Sequence, residues 1–195
     1  MRRYTGSNVM GQYYDILNLD KKEHLYFDDL NCAKLWDYYN SFEYDCALKN
    51  LFSGRWNGDN VILLGDYCDN AEADSFVYNI IQKIRIEYSY NGIMQDYPED
   101  FTDITYDRRD KGFRFVYNHH TKQYIDYDRI WNSLCKPTIY PLVLLLAVGN
   151  GYGMGDYDRY NDQFVGCWAL TSHYIEVSRE LLIIDGYSEF IPDFH

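Results

Sequence analysis

The stretch YDILNLDKKEHLYFDDL, residues 14–30, has a counterpart 100 residues later in RFVYNHHTKQYIDYDRI, residues 114–130. Three pairs of positions are identical at this shift: Asn18 with Asn118, Lys22 with Lys122, and Asp28 with Asp128. Apolar positions also align on both sides of a polar turn, as two copies of one β-hairpin require when each buries one face. The pattern predicts a duplicated hairpin.

Two further pairs of segments extend the repeat. Gly54-Arg55-Trp56 precedes an apolar run at residues 61–64, and Gly166-Cys167-Trp168 precedes a similar run at residues 174–177. A surplus loop at residues 149–162 accounts for the longer spacing in the second copy. Residues 100–104 and 186–190 form a third, weaker pair.

The predicted fold class is therefore α+β, with two tandem related β-hairpin–helix–strand units packed with pseudo-twofold symmetry around a shared core. Unit one spans residues 10–105 and unit two spans residues 112–195, so residues 10–195 form a single domain. The polar residues 1–9 are expected to be a flexible leader.

Apolar spacing places the helices. Leu35, Tyr39, Phe42 and Cys46 share one helical face, which predicts an amphipathic helix over residues 35–51 with Asn31 as its N-cap. A second helix is expected to follow Asp74 and to carry its apolar residues on one face.

The second unit has a different apolar pattern. Residues 140–148 fit a buried strand by periodicity, but their place in the repeat favours a short buried helix that begins at Pro141 and ends at Gly149. Residues 165–168 and 174–177 are predicted to return to the sheet.

Charge and composition limit the partners. The formal net charge is −12 and the pI is near 4.7, so phosphate backbones and anionic lipids would be repelled. This argues against direct nucleic-acid or membrane binding, although an acidic surface can mimic nucleic acid for a basic protein. The 22 tyrosines and 10 phenylalanines suit a protein interface, and they also fit the codon bias of an A+T-rich genome.

The five cysteines have no paired spacing, and residues 1–14 offer no apolar leader. They are therefore expected to be reduced thiols of an intracellular, cytoplasmic protein, or of a virion if the protein is viral. The longest apolar run, residues 139–148, is too short to span a bilayer.

The segment VILLGDYCDN, residues 61–70, resembles the strand and loop of metal-dependent phosphoesterases of the serine/threonine phosphatase type. Asp66 and Asp69 would then be ligand-binding residues. The chain lacks the upstream D-x-H and the downstream G-N-H that such a two-metal site needs. The alternative is a structural turn in which Asp66 and Asp69 accept hydrogen bonds from loop amides.

The glycine-rich residues 149–155 follow an apolar run, as phosphate loops do, but match neither a Walker loop nor G-x-G-x-x-G. We interpret this stretch as a flexible insertion that could close over a ligand, with Gly151, Gly153 and Asp156 as candidate ligand-binding residues. The acidic residues after it lack the EF-hand pattern, and the histidines lack zinc-site spacing. No metal site, cofactor or catalytic residue is predicted.

The strings MGQYYDILNLDKKEHLYFDDL, AKLWDYY, GRWNGDNVILLGDYCDN and LLLAVGNGYGMGDYD resemble a family of uncharacterised proteins of fungi, algae and large DNA viruses of protists. Members typically begin M-G-Q-Y and carry N-L-D-K-K-E and K-L-W-E. This chain has Asp37 in place of the family's glutamate, and nine residues before Met10. The resemblance implies an intracellular or viral origin and no particular activity.

Together these patterns predict a non-enzymatic protein-binding or structural protein, such as a viral or host-interaction factor. Its partner would be another protein or a second copy of the chain. The alternative is a metal-dependent hydrolase or nucleotide-binding protein with a site at the seam between the repeats, where Asp66, Asp69 and residues 149–155 would converge.

Overall fold

The structure is a computed structural model that describes residues 13–25, 34–65, 76–88, 101–133, 139–149 and 164–191. The predicted leader and the Asn31 and Asp74 caps lie outside these ranges. The described residues form two β-sheets and five α-helices, which confirms the predicted α+β class.

The strands are β1 (Tyr14–Asn18), β2 (Glu23–Leu25), β3 (Val61–Gly65), β4 (Thr102–Ile104), β5 (Phe115–Asn118), β6 (Gln123–Asp126), β7 (Ala147–Val148), β8 (Ile175–Ser178) and β9 (Ser188–Glu189). The helices are α1 (Leu35–Tyr39), α2 (Phe42–Phe52), α3 (Phe76–Tyr88), α4 (Tyr127–Ser133) and α5 (Pro141–Leu146). A 3-10 turn at Ser172–Tyr174 leads into β8.

The first sheet has the strand order β4-β2-β1-β3-β7. β1 pairs antiparallel with both β2 and β3, so that Asn18 lies between Glu23 and Val61. The short edge strands β4 and β7 run parallel to β2 and β3 respectively.

The second sheet has the order β8-β5-β6-β9. β5 pairs antiparallel with β6 and β8, so that Asn118 lies between Gln123 and Ile175, and β9 runs parallel to β6. Strand order and orientation therefore match the first sheet from β4 to β3, and β7 has no counterpart among the described residues of the second sheet.

The two hairpin turns have the same backbone geometry. Lys22 and Lys122 have φ angles of 52° and 54°, and among the described residues no other non-glycine residue has a positive φ. Each turn is also held by the buried asparagine that precedes it: Asn18 Oδ1 accepts a hydrogen bond from the Lys21 amide, and Asn118 Oδ1 accepts one from the Thr121 amide. A short amide side chain that bonds the next backbone groups is what favours Asn at a turn.

A fully buried tryptophan lies beside each hairpin. The indole nitrogen of Trp56 donates to Glu23 Oε2 at 2.7 Å, and that of Trp168 faces Gln123 Oε1 at 3.4 Å. Each ring thus packs in the core while its polar N–H reaches the first residue of a hairpin strand, the arrangement a buried indole requires.

One hydrophobic core joins the two sheets. Its members come from the inner faces of both sheets and from α1, α2, α4 and α5, and they include Ile16, Leu63, Val116, Ile125, Leu144 and both buried tryptophans. A second, smaller cluster lies on the other side of the first sheet, where Leu17, Ile62 and Leu64 pack against Ile80, Ile81 and Ile84 of α3. The first sheet is therefore covered on both faces.

The predicted helix over residues 35–51 is wrong in one respect, since two helices, α1 and α2, occupy this stretch. The break falls at Asn40 and Ser41. Ser41 is extended and its hydroxyl accepts a hydrogen bond from the Tyr44 amide, so it begins a new helix instead of continuing the old one.

Two predictions for the second unit also need correction. The buried helix begins at Pro141 as predicted but ends at Leu146, because Ala147 becomes extended and pairs with Leu63. Residues 165–168 form a turn instead of a strand, with Gly166 at a φ of 74°. A positive φ of this size is incompatible with a regular strand.

Candidate functional site

The predicted ligand-binding residues Asp66, Asp69, Gly151, Gly153 and Asp156 all lie outside the described residues. The described chain ends just before them at the carboxyl ends of β3 and β7. These two strands are parallel neighbours, with Leu64 beside Val148.

The described ranges contain no group of three or more His, Cys, Asp or Glu side chains that could hold a metal ion. No helix within them is both long enough and apolar enough to cross a membrane. Three polar clusters stand out instead, and they differ in how far solvent or a partner could reach them.

The first cluster is a closed network between α2 and α4. Tyr127 donates a hydrogen bond to Asp45 Oδ1 at 2.6 Å, and Lys49 Nζ lies 2.8 Å from Asp45 Oδ2. The lysine also donates to the Phe113 carbonyl and lies 4.2 Å from the centre of the Tyr127 ring. Burial raises the pKa of Asp45 against the opposing charge of Lys49.

All three side chains of this network are buried, and their polar groups pair with one another and with the Phe113 carbonyl. They fasten α2 of the first unit to the start of α4 in the second. The network is a structural joint, because a ligand would have no route to any of its polar atoms without displacing the core.

The second cluster is centred on His24 of β2, which is only 2 % exposed. Its Nε2 lies 3.0 Å from Asp15 Oδ1 of β1, and its Nδ1 lies 3.0 Å from Asp103 Oδ1 of β4. Burial lowers the pKa of His24, but the hydrogen bonds and negative charges of Asp15 and Asp103 outweigh it and raise the pKa above its ordinary value. The imidazole thus links three adjacent strands through Asp15 and Asp103.

The third cluster covers the outer face of the second sheet, the side that points away from the shared core. Tyr117 of β5 lies between Tyr124 of β6 and Glu176 of β8 in the sheet register. Cross-strand partners share a face, and this is the face opposite Val116 and Ile125. We call it the Tyr–His face, and its members are Tyr117, His119, Tyr124, Glu176 and Tyr187.

Tyr117 is the buried centre of the Tyr–His face. Its ring stacks with those of Tyr124 and His119 at centroid distances of 5.6 and 6.3 Å, and meets Tyr187 edge-on at 6.4 Å. The Tyr117 hydroxyl accepts a hydrogen bond from the Leu182 amide at 2.7 Å, which brings residues 181–184 to this face. Tyr117 and Tyr124 stack because they are cross-strand partners on β5 and β6, while His119 lies in the turn after β5 and Tyr187 lies just before β9.

His119 links two of the exposed members. Its Nε2 lies 2.7 Å from Glu176 Oε2, and its Nδ1 lies 2.7 Å from the Tyr187 hydroxyl. A carboxylate only accepts, so His119 donates through Nε2, and in the neutral ring Nδ1 accepts from Tyr187. The side chain of Glu176 is 50 % exposed, so this part of the cluster is open to solvent.

Large apolar side chains accompany the face. Tyr174, stacked on His120 at 5.3 Å, is 44 % exposed, and Ile183 is 92 % exposed. Neither the Tyr–His face nor this apolar edge was predicted from the sequence. The sequence did contain a signal for this face, because the 100-residue shift aligns Tyr117 with Leu17.

Comparison with known proteins gives no relative. No family model, no curated protein and no solved structure matches the chain. The resemblance to the M-G-Q-Y family therefore stays a prediction, and the Tyr–His face must be interpreted from its own chemistry.

Proposed function

We propose that the protein is a non-enzymatic protein-binding module whose contact surface is the Tyr–His face. One observation carries the proposal. Leu17 and Ile62 on the outer face of the first sheet pack beneath α3. The equivalent positions of the second sheet are Tyr117 and Glu176, and the described residues include no helix that covers this second outer face.

The chemistry of the face supports contact with a protein. Tyrosine and histidine combine a flat apolar body with a polar tip, and tyrosine loses little side-chain entropy when it is immobilised. The rings here are already ordered by stacking on Tyr117, so binding would not have to order them again. The exposed Ile183 adds apolar area at the edge, of the kind found at the centre of protein interfaces.

We also propose that the two units arose by duplication and pack with pseudo-twofold symmetry. The matched hairpin register, the matched left-handed lysines and the matched tryptophans support this proposal. So do the parallel edge strands β4 and β9, which begin with equivalent hydrogen bonds: Thr102 N to Lys22 O and Ser188 N to Lys122 O. Under this proposal, the outer face of the second unit acquired the binding function after the duplication.

The family resemblance favours an intracellular or virion setting and a role as a viral or host-interaction factor. The alternative function, a hydrolase or nucleotide-binding protein with a site at the seam, depends on Asp66, Asp69 and residues 149–155. Among the described residues the seam is filled by the shared core and by the closed network of Asp45, Lys49 and Tyr127.

The test uses two matched substitutions on different sides of the molecule. Ile183→Ser beside the Tyr–His face and Ile86→Ser on α3 make the same chemical change at residues that are 92 % and 79 % exposed. We expect quantitative affinity capture from host cells to lose the same specific partner with Ile183→Ser and with Tyr187→Ser, and to keep it with Ile86→Ser. Equal capture by all three variants would contradict the proposal.

A further inference from the structure

We infer that the Tyr–His face accepts a lysine or arginine side chain from its partner, which pairs with the Glu176 carboxylate and packs on the neighbouring aromatic rings. This inference rests on the proposed function and names the chemistry of the bound segment. Three observations support it: the acidic charge of this part of the chain, the contacts that already hold the neighbouring arginines, and the positions of the aromatic rings near Glu176.

The face lies in an acidic part of an acidic protein. The formal net charge is −12, and residues 174–191 hold the acids Glu176, Glu180, Asp185 and Glu189 against the single base Arg179. A positively charged segment would therefore be drawn to this side of the molecule, while a second copy of the chain would be repelled.

Nearby arginines are already engaged. Arg114 pairs with Asp126 at 2.7 Å and Asp128 at 2.8 Å, and Arg129 pairs with Glu189. Arg179 donates to the Lys111 carbonyl and lies over the Phe113 ring. Each of these cations is held away from Glu176 by its own contacts.

Among the described residues, Glu176 pairs with His119 and with no lysine or arginine. Oε2 of its carboxylate is fixed by His119 Nε2 at 2.7 Å, and the half-exposed side chain leaves the rest of the group facing solvent. His119 is itself fixed by the Tyr187 hydroxyl at 2.7 Å. A carboxylate held in this way is preorganised to accept a charge-assisted hydrogen bond.

The rings supply the second half of the site. Tyr187 lies edge-on to His119, with ring centroids 5.8 Å apart. The Tyr187 ring therefore lies beside the imidazole that is hydrogen-bonded to Glu176. Aromatic faces attract cations through the ring quadrupole, and a carboxylate beside them adds direct charge attraction. This pairing suits the side chains of lysine and arginine, whose long apolar stems can also cover Ile183.

The experiment uses three synthetic dodecapeptides in which lysine, acetyl-lysine or arginine alternates with serine, measured by fluorescence anisotropy at low salt. We expect the lysine and arginine peptides to bind the full chain and the acetyl-lysine peptide to bind about tenfold more weakly or not at all. Equal binding of the acetylated peptide would overturn the inference.

Location is tested by two substitutions that change the net charge equally. Glu176→Gln removes the carboxylate held by His119, and Glu180→Gln removes an exposed carboxylate four residues away. We expect about a tenfold loss of lysine-peptide affinity for Glu176→Gln and less than about a twofold loss for Glu180→Gln. Equal losses would show general charge attraction and contradict a site at Glu176.

The outcome separates this inference from the function on which it rests. If Ile183→Ser loses the captured partner while Glu176→Gln keeps both partner and peptide affinity, the face binds protein without a cation at Glu176, and only the inference fails. If Ile183→Ser keeps the partner, the proposed function fails. A dimer of the wild-type chain in sedimentation that Tyr187→Ser dissociates would identify a second copy as the occupant and overturn the inference.

Discussion

The outer faces of the two sheets differ although their strands follow the same plan. Leu17 and Tyr117 hold the same place in their hairpins, opposite His24 and Tyr124 respectively. In the first sheet this face holds Leu17 under α3 beside the buried His24, and in the second it is aromatic, with Tyr117 buried and Glu176 half-exposed. The two hairpins thus share a turn geometry and a buried tryptophan, while their outer side chains differ in kind and in what covers them.

The largest expected effect on stability concerns the buried tryptophan that lies beside each hairpin. Trp56→Ala and Trp168→Ala each remove a fully buried indole, and we expect each to lower the free energy of unfolding by about 3–5 kcal/mol. Urea denaturation measures both losses. Trp36→Ala is the control, because Trp36 is 51 % exposed and its loss should cost less than about 0.5 kcal/mol.

The next effect separates the two outer faces. Leu17→Ala leaves a cavity beneath α3 and should cost about 2–4 kcal/mol. Tyr117→Phe keeps the aromatic stack but leaves the Leu182 amide without its acceptor, which should cost about 1 kcal/mol. A Tyr117→Phe loss as large as that of Leu17→Ala would contradict the modest contribution expected of the Tyr117–Leu182 hydrogen bond.

A smaller effect depends on pH and belongs to the first sheet alone. The raised pKa of His24 means that folding strengthens proton binding, so the stabilisation is complete below pH 6.5, the ordinary value, and is lost as pH rises through the raised pKa. We expect His24→Gln to cost about 1–3 kcal/mol at pH 5.5 and clearly less at pH 9. Urea denaturation at the two pH values is the measurement.

The matching position in the second sheet, Tyr124, provides the control. Tyr124→Phe removes a hydroxyl from the sheet position that His24 occupies in the first sheet, and we expect the same small change at both pH values. If His24→Gln were equally destabilising at pH 5.5 and pH 9, the clamp with Asp15 and Asp103 would not depend on the proton.

The smallest effect is expected to be the same in both hairpins. Lys22→Gly and Lys122→Gly remove the strain of a left-handed backbone conformation at a residue with a side chain. Glycine also makes the unfolded chain more flexible, which offsets part of this gain, so each substitution should raise the free energy of unfolding by about 0.5 kcal/mol. Thermal unfolding of both variants measures the gain. Stabilisation of one hairpin and destabilisation of the other would break the equivalence of the two turns.

The sequence predicted the features that depend on local patterns. Asn18, Lys22 and their counterparts marked the two hairpin turns, because a turn imposes residue types on the chain directly. Pro141 marked the start of α5 for the same reason.

Other features could not be predicted in this way. Ser41 is compatible with a helix interior and with a cap, and only the packing of α1 decides between them. An alternating pattern shows that Leu17 and Tyr117 leave the core face, but not that α3 covers Leu17 while neighbouring rings and Leu182 cover Tyr117. The candidate site depends on this difference in covering, which is a tertiary property.

The most direct test of the Tyr–His face is amide hydrogen exchange of the protein with and without its captured partner. We predict that the partner slows exchange in β5, β8 and residues 181–184 and leaves α3 unchanged. Slower exchange in α3 with no change in β5, β8 and residues 181–184 would place the partner on the first sheet's side and contradict the proposed contact surface.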